Sequence, residues 1–221
     1  PLEKEQEHIR EEKLGGKIAT RLGNGLAPLE PGETDTVIIA GMGGDLICKI
    51  LKAKPEFLIE GKEFILQPQS EWFKIRRLLK EYRYQIEKEW FLKEDGKYYV
   101  IIKAEPAWTQ PQRLKHQQPS IHEYIKEISD TQVNQAVSEK DMESIYEQYG
   151  KYLIETKNPV LKEYLEKEIT KKESIAAELK QSIKEMESEE LSGKERGNIA
   201  KRQRRYQEIQ KEIRDMRKAI G

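Results

Sequence analysis

Along the first hundred residues the apolar positions alternate between two patterns. "TVIIA" (36–40) and "EFILQP" (63–68) are short, nearly continuous apolar runs, the pattern of buried strands. "KIATRL" (17–22) reads as a further short strand ending in "GNGL". Between and around them lie segments of helical period. "LEKEQEHIREEKLGG" stops at Gly15-Gly16, as helices commonly do. "LICKILKAKPEFLIEG" predicts a helix disturbed near Pro55 and closed by Gly61. "EWFKIRRLLKEYRY" places Trp72, Ile75, Leu78, Leu79 and Tyr82 on one side of an amphipathic helix. "YQIEKEWFLKEDGKYYVIIKAE" predicts two strands folded about Asp95-Gly96, a strong hairpin signal. This order predicts an α/β domain over residues 1–106: a mostly parallel sheet with helices on its faces and antiparallel strands at the end.

The rest of the chain divides in two. Residues 107–157 open with the Pro- and Gln-rich "PAWTQPQRLKHQQPS" and read as a connector with a short helix in "MESIYEQYGKYLIETKN". From 158 to 221 the pattern is heptad-like. Asn158 suits a helix cap and Pro159 the first turn. Leu165, Ile169, Ala176, Leu179, Ile183 and Met186 form one stripe, interrupted at Lys172. After a break at "ESEELSG", where Ser192 and Glu195 match a capping box, Ile199, Tyr206, Ile209, Ile213, Met216 and Ile220 form a second stripe. Two such helices joined by a short loop predict a C-terminal antiparallel helical hairpin, a coiled coil with arms of roughly 40 Å. A hairpin of this kind serves equally well as a packing or dimerisation device.

Composition narrows the classes. The 36% charged residues balance at 40 basic and 40 acidic, so global charge favours neither a nucleic acid nor a membrane. No run approaches the roughly 20 apolar residues of a membrane span. The single Cys48 fits a reducing, cytoplasmic setting and lies among Leu46, Ile47 and Ile50, where a small buried hydrophobe is its expected role. His8, His116 and His122 are scattered, and no metal constellation, nucleophile elbow or phosphate-binding lysine loop is found. The N-terminus has no signal-peptide core and starts within a helix, without Met, which predicts a chain incomplete at its N-terminus.

Candidate chemistry lies in three turns. Open α/β sheets bind ligands beyond the carboxyl ends of their strands. "LGNGL" (22–26), "AGMGG" (40–44) and "LQPQ" (66–69) each follow a predicted strand. Glycine after a strand is more often plain turn geometry; three bare turns at successive strand ends suit a flat ligand lying on the backbone. Asn24 is either a left-handed turn residue or an amide for a base edge. Gln67, held extended by Pro68, points its amide into the pocket or bonds to loop backbone. Met42 is either pocket wall or core filler.

The segments "TRLGNGLAPLEPGETDTVIIAGMGGDLICKIL", "EFILQPQ", "LKEDGKYYVIIKAE" and "NPVLKEYLEKE" together resemble the bacterial tRNA (adenine-22-N1)-methyltransferases. The resemblance runs throughout the α/β part and weakly into the coiled coil. It implies a Rossmann-like class I methyltransferase sheet, with S-adenosyl-L-methionine as cofactor and tRNA as substrate. Gly23, Asn24, Gly25, Leu26, Ala40, Gly41, Met42, Gly43 and Gly44 are then the cofactor-binding residues. Gln67 would hold the adenine edge, accepting from its exocyclic amine, and Pro68 would supply an apolar wall. The departures are the family's acidic, glycine-bearing first turn and the acidic residue after its second strand, neither of which is found. Asn24 stands where Asp is usual, and Gln69 where Asn is frequent. Cofactor binding by this stretch alone is expected to be poor. Lys201, Arg202, Arg204 and Arg205 cluster at the start of a basic run (201–218) that the resemblance favours as the tRNA surface; Arg76, Arg77, Lys80 and Arg83 form a second basic group on a helix, Arg113 and Lys115 lie in the connector, and Gln69 is a further tRNA candidate. The expected state is a monomer, with a homodimer through the coiled coil as the alternative. Two rival readings stand beside this one: a methyltransferase acting on another substrate, and a non-catalytic RNA-binding or dimerisation module.

Overall fold

A computed structural model describes residues 2–107, 137–186 and 193–221. In chain order the elements are α1 (Leu2–Glu11), β1 (Thr36–Met42), α2 (Gly44–Ala53), α3 (Pro55–Ile59), β2 (Glu63–Pro68), α4 (Trp72–Glu81), β3 (Tyr84–Glu94) and β4 (Lys97–Pro106). They continue with α5 (Val137–Tyr149), α6 (Lys151–Glu155), α7 (Pro159–Met186) and α8 (Gly193–Ile220). The capping box at Ser192 and Glu195, and Arg113, Lys115, His116 and His122, lie outside the residues or side chains described.

The four strands form one sheet in the order β1-β2-β4-β3. β1 and β2 are parallel, while β4 runs antiparallel to both β2 and β3. Among the described residues only one pair is therefore parallel, less than the mostly parallel sheet expected. The reason is the segment "KIATRL", which forms turns and irregular backbone instead of a strand. A strand exists only where a neighbour completes its ladder, and among the described residues none lies beside it.

Helices α2 and α4 cover one face of the sheet. There Val37, Ile39, Phe64, Leu66, Val100, Ile102 and Ala104 are buried with Ile47, Leu51, Ile75, Leu78 and Leu79. Each such aliphatic or phenyl side chain withdrawn from water contributes about 1.5–3 kcal/mol. The alternate positions face the other way, and Ile38 is 68% exposed on that second face. The proline break occurs where expected: α2 ends at Ala53, and Pro55 starts α3. The hairpin turns on Asp95 and Gly96, both at positive φ.

The C-terminal helices also follow their pattern. The Asn158 side-chain oxygen accepts from the Val160 and Leu161 N–H groups at 3.0 Å, a helix cap. Leu161, Leu165, Ile169 and Ala176 of α7 are buried, as are Ile199, Ile209, Ile213, Met216 and Ala219 of α8. Pairing of Arg217 with Glu173 at 2.6 Å and of Lys172 with Glu212 gives an antiparallel hairpin. Lys172, which interrupts the apolar stripe, thus has a carboxylate partner across the seam. Aromatic packing joins hairpin to sheet: Tyr164 of α7 lies 5.5 Å from Phe91 and 5.0 Å from Tyr98, ring centre to ring centre.

Candidate active site

The parallel pair β1–β2 brings two of the three bare turns together at its carboxyl end. Ala40 lies opposite Gln67, and the register shifts by one residue before Met42 meets Pro68. The shift is a bulge at Gly41, whose φ of 78° suits glycine. The freed Gly41 N–H donates to Gln67 Oε1 at 2.7 Å. Gln69 N–H donates to the Met42 carbonyl at 2.8 Å, and Gly44 N–H to the Ser70 carbonyl at 3.0 Å. Strand tip, following loop and helix start are thereby laced to the neighbouring tip.

Two glycines have separate reasons. A Cβ on Gly44 would lie 2.6 Å from the Glu71 carbonyl oxygen and 2.7 Å from that of Ser70, so only glycine lets α2 start so close to β2. A Cβ on Gly41 would meet nothing within 4 Å, so the space above that peptide is open. Ala40, Gly41 and Met42 are all exposed. Gln67 Nε2 is buried and has no acceptor among the described residues. With one lone pair of Oε1 engaged by Gly41, the unpartnered half of the side chain is its N–H₂ donor. Beside the expected acceptance from an adenine amine, for which Oε1 keeps a second lone pair, the side chain thus offers donation toward a ring nitrogen or another acceptor.

Charges brace the entrance to α2. Asp45 pairs with Lys49 at 2.7 Å and Lys74 at 2.8 Å. Hydrogen bonds from Lys49, then Lys74, hold the Asp45 carboxyl well below its ordinary value, at about 2. The Asp45 N–H donates to Glu71 Oε2 at 3.3 Å, so this helix N-terminus is already supplied with acceptors.

Several expected site residues lie elsewhere. Pro68 is buried on the helix-covered face with Phe64 and Leu66, so it packs the core and offers a ligand no wall. The "LGNGL" turn stands apart from the other two. Gly25 packs against the Ile50 side chain, and the Leu29 carbonyl accepts from Lys54 Nζ at 3.3 Å, so this loop lies along the later part of α2. Gly23, Asn24 and Gly25 are exposed there, while Leu26 is buried in the core and cannot present its side chain to a cofactor. Cys48 is half-buried, and burial raises its thiol pKa, consistent with a packing role.

Arg76 requires the largest correction. Its side chain is only 4% exposed, and Nε donates to Glu89 Oε1 at 2.7 Å. Nη1 donates to the Glu147 and Gln148 carbonyls at 3.0 Å, at the C-terminal end of α5. A guanidinium so enclosed cannot reach RNA; it docks α5 onto the sheet. An isolated sequence shows Arg76 beside Arg77 and Lys80 as one basic group, and only the fold turns Arg76 inward. Arg77 stays exposed and pairs with Glu147 at 3.1 Å, and Gln69 is exposed beside the site.

On α8, Lys201 and Arg204 are exposed, Arg204 at 84% with only a 3.4 Å contact to Glu208. Arg205 is shared between Glu208 and Glu212, and Arg202 rests against Met186 Sδ. Glu63, Glu87 and Glu105 converge on the second face of the sheet in a metal-like cluster. Lys103 Nζ occupies its centre, at 3.0, 2.7 and 3.3 Å, and these bonds raise the lysine pKa. The cation there is the protein's own ammonium group.

A parallel strand pair with a glycine loop at one carboxyl tip laced to the Gln-Pro-Gln turn at the other, continued by an antiparallel hairpin, defines a Rossmann-like α/β protein of the kind that seats a nucleotide cofactor at those tips. The chain belongs to the TrmK family, tRNA (adenine(22)-N(1))-methyltransferase, whose family model matches residues 1–145. It is 32% identical over 166 residues to the tRNA (adenine(22)-N(1))-methyltransferase of Bacillus subtilis, covering 61% of this chain and 68% of that protein. The crystal structure of the B. subtilis m1A22 tRNA methyltransferase TrmK superposes with a TM-score of 0.67 at 23% identity, over 100% of this chain and 78% of that one. The structure of M. capricolum TrmK with S-adenosyl-homocysteine gives a TM-score of 0.62 at 21% identity, over 100% and 76% of the two chains.

Proposed function

We propose that the protein methylates N1 of an adenine in tRNA, position 22 by family, using S-adenosyl-L-methionine. The observation that carries this reading is the family match over the segment that forms the two laced strand tips. S-adenosyl-L-methionine, when bound, supplies a methyl group activated on a sulfonium. The residues present fit it: exposed backbone from Ala40 to Met42, open space over Gly41, and the unpartnered N–H₂ of Gln67. Adenine N1 carries a free lone pair, so the protein supplies alignment and water exclusion in place of a strong base. Gln67 fixes the Gly41 peptide through its oxygen and presents its N–H₂ to the base or cofactor. A target in a paired stem must first be unstacked.

In this reading residues 1–106 hold cofactor and base, 107–157 join the parts, and 158–221 form the arm that meets tRNA. Most of both apolar stripes is buried within the chain, Leu165, Ile169 and Ala176 against Ile209, Ile213 and Met216, with Leu179, Ile183 and Met186 half-buried toward the tip, which favours a monomer; light scattering at several concentrations tests that. Among the described residues no helix is long and apolar enough to cross a membrane, and a tRNA substrate fits a cytoplasmic reaction.

Three results are expected. Full-length protein with labelled cofactor and unmodified tRNA gives methyl incorporation and a reverse-transcription stop at one adenine; no incorporation would sink the reading. Gln67→Glu keeps an acceptor for Gly41 N–H but deletes the donor. Its turnover should fall by about 10- to 100-fold, the range for a lost hydrogen bond to a charged or reacting group, with cofactor affinity changed far less. Wild-type turnover would remove the Gln67 donor from the site. Lys201→Glu with Arg204→Glu should weaken tRNA binding and reduce the slope of log K against log salt by about 2, close to one per phosphate contact. An unchanged slope would place the RNA on another surface.

A further inference from the structure

Two adjacent tyrosines on β4 have opposite environments. The Tyr98 ring packs against Phe91 at 5.8 Å and Tyr164 at 5.0 Å. Its hydroxyl donates to Glu163 Oε1 at 3.3 Å and accepts from Lys167 Nζ at 3.2 Å. Tyr98 is therefore part of the joint between sheet and coiled coil. Tyr99, one residue on, points to the other face. Among the described residues its side chain has no ring partner, hydrogen bond or ion pair. It lies opposite Leu92, which is 45% exposed, and next to the Trp90–Ile101 pair.

Tyr99 is placed at the active end of the sheet. Leu66 of β2 lies opposite Ile102 of β4, so the part of the hairpin before Val100 extends past the carboxyl end of β2. A groove of about 520 Å³ runs along this overhang, lined by Gln67, Leu92, Lys93, Glu94, Tyr99 and Ile101. Gln67 is thus shared between the groove and the laced strand tips. The volume is ample for a purine nucleotide. The lining is one aromatic ring, two aliphatic side chains, Gln67 and the charged pair Lys93 and Glu94, of which the Lys93 ammonium is engaged by Glu163.

We propose that this groove receives the target adenine, with Tyr99 as the ring on which the unstacked base lies and Leu92 and Ile101 as the apolar floor. Stacking on an aromatic ring replaces the neighbours the base loses when it leaves its helix. An edge of the base away from N1 is then turned toward Gln67, whose amide N–H₂ meets a ring nitrogen other than N1, so that the N1 lone pair stays free for the methyl group. Tyr99 is here a substrate-binding residue, and the inference rests on the tRNA methyltransferase reading.

The test compares Tyr99→Thr, which keeps a strand-favouring residue, and Tyr99→Phe in the full-length enzyme. Tyr99→Thr should lower kcat/KM for tRNA by about 10- to 100-fold, the scale of one lost base–aromatic stack, and leave cofactor affinity unchanged. Tyr99→Phe should stay close to wild type. A readout without turnover uses tRNA carrying 2-aminopurine at the target position. Stacking on Tyr99 quenches its fluorescence, and the Tyr99→Thr complex should be several-fold brighter. Wild-type kcat/KM in Tyr99→Thr, or fluorescence equal to the wild-type complex, would overturn the platform while leaving the methyltransferase reading intact. An unmodified chain that methylates no tRNA would instead remove the reading beneath it. Should Tyr99→Thr unfold early, Leu92→Ser tests the same floor from the other strand, with the same two readouts.

Discussion

Arg76→Met should destabilise the protein by about 3–5 kcal/mol, the usual cost of leaving one member of a buried ion pair without its partner. Glu89 is 2% exposed, and the Arg76 guanidinium supplies its ion-pair partner. The pair also holds the end of α5, because Arg76 Nη1 bonds two of its last carbonyls. For a chain of this size the loss corresponds to a fall in Tm of roughly 10 °C. Adding Glu89→Leu should recover much of it, since an apolar pair of similar volume is often as stable as a buried ion pair. Calorimetry of the single and double variants checks both. A single variant within about 1 kcal/mol of wild type would show that Glu89 finds another partner or is neutral.

The same variant has a pH signature of definite sign. Burial already raises the Glu89 pKa, while Arg76 opposes the rise. Without Arg76 the rise is larger, so the folded state holds this proton more tightly than the unfolded one. Stability contributed by Glu89 is then greatest below its unfolded pKa and is lost as pH rises through the folded value. Arg76→Met should therefore regain stability as pH drops from neutral toward the ordinary carboxylate range. Asp45 has the opposite slope. Its lowered pKa means that its contribution is present above the unfolded value and fades as pH falls toward about 2.

Gly44→Ala is the second large effect, and it falls on activity. The added Cβ would lie 2.6 and 2.7 Å from two backbone carbonyl oxygens that have no freedom to swing aside. The start of α2 must retreat from residues 70 and 71 by the better part of an ångström. That motion pulls on the Gly44–Ser70 and Met42–Gln69 hydrogen bonds and so on the peptide held by Gln67. Misplacement on this scale costs about 100-fold in rate. Single-turnover methylation of tRNA checks it, with circular dichroism to confirm that the fold persists. Near-normal turnover would mean that the loop adjusts without moving the strand tips.

The sequence by itself determined what depends on local period and local chemistry. The apolar runs at 36–40 and 63–68, the Asp95-Gly96 turn, the break at Pro55 and the Asn158 cap all formed as expected, since each is specified by neighbours a few residues away. The two heptad stripes folded onto each other for the same reason. The glycine and glutamine motifs at 40–44 and 67 were legible because a bare turn after a buried strand is visible in one dimension.

Only the tertiary structure decided which of those groups face each other and which face water. A strand's pleat sends Gln67 to the open face and Pro68 into the core, and it separates Tyr98 from Tyr99 in the same way. The direction of each face depends on which side the helices cover. Arg76 looks like its neighbour Arg77 until Glu89, from a strand begun eight residues after it, arrives beneath it. "KIATRL" carries a strand's composition, yet a strand is a relation between two segments, and composition describes only one of them.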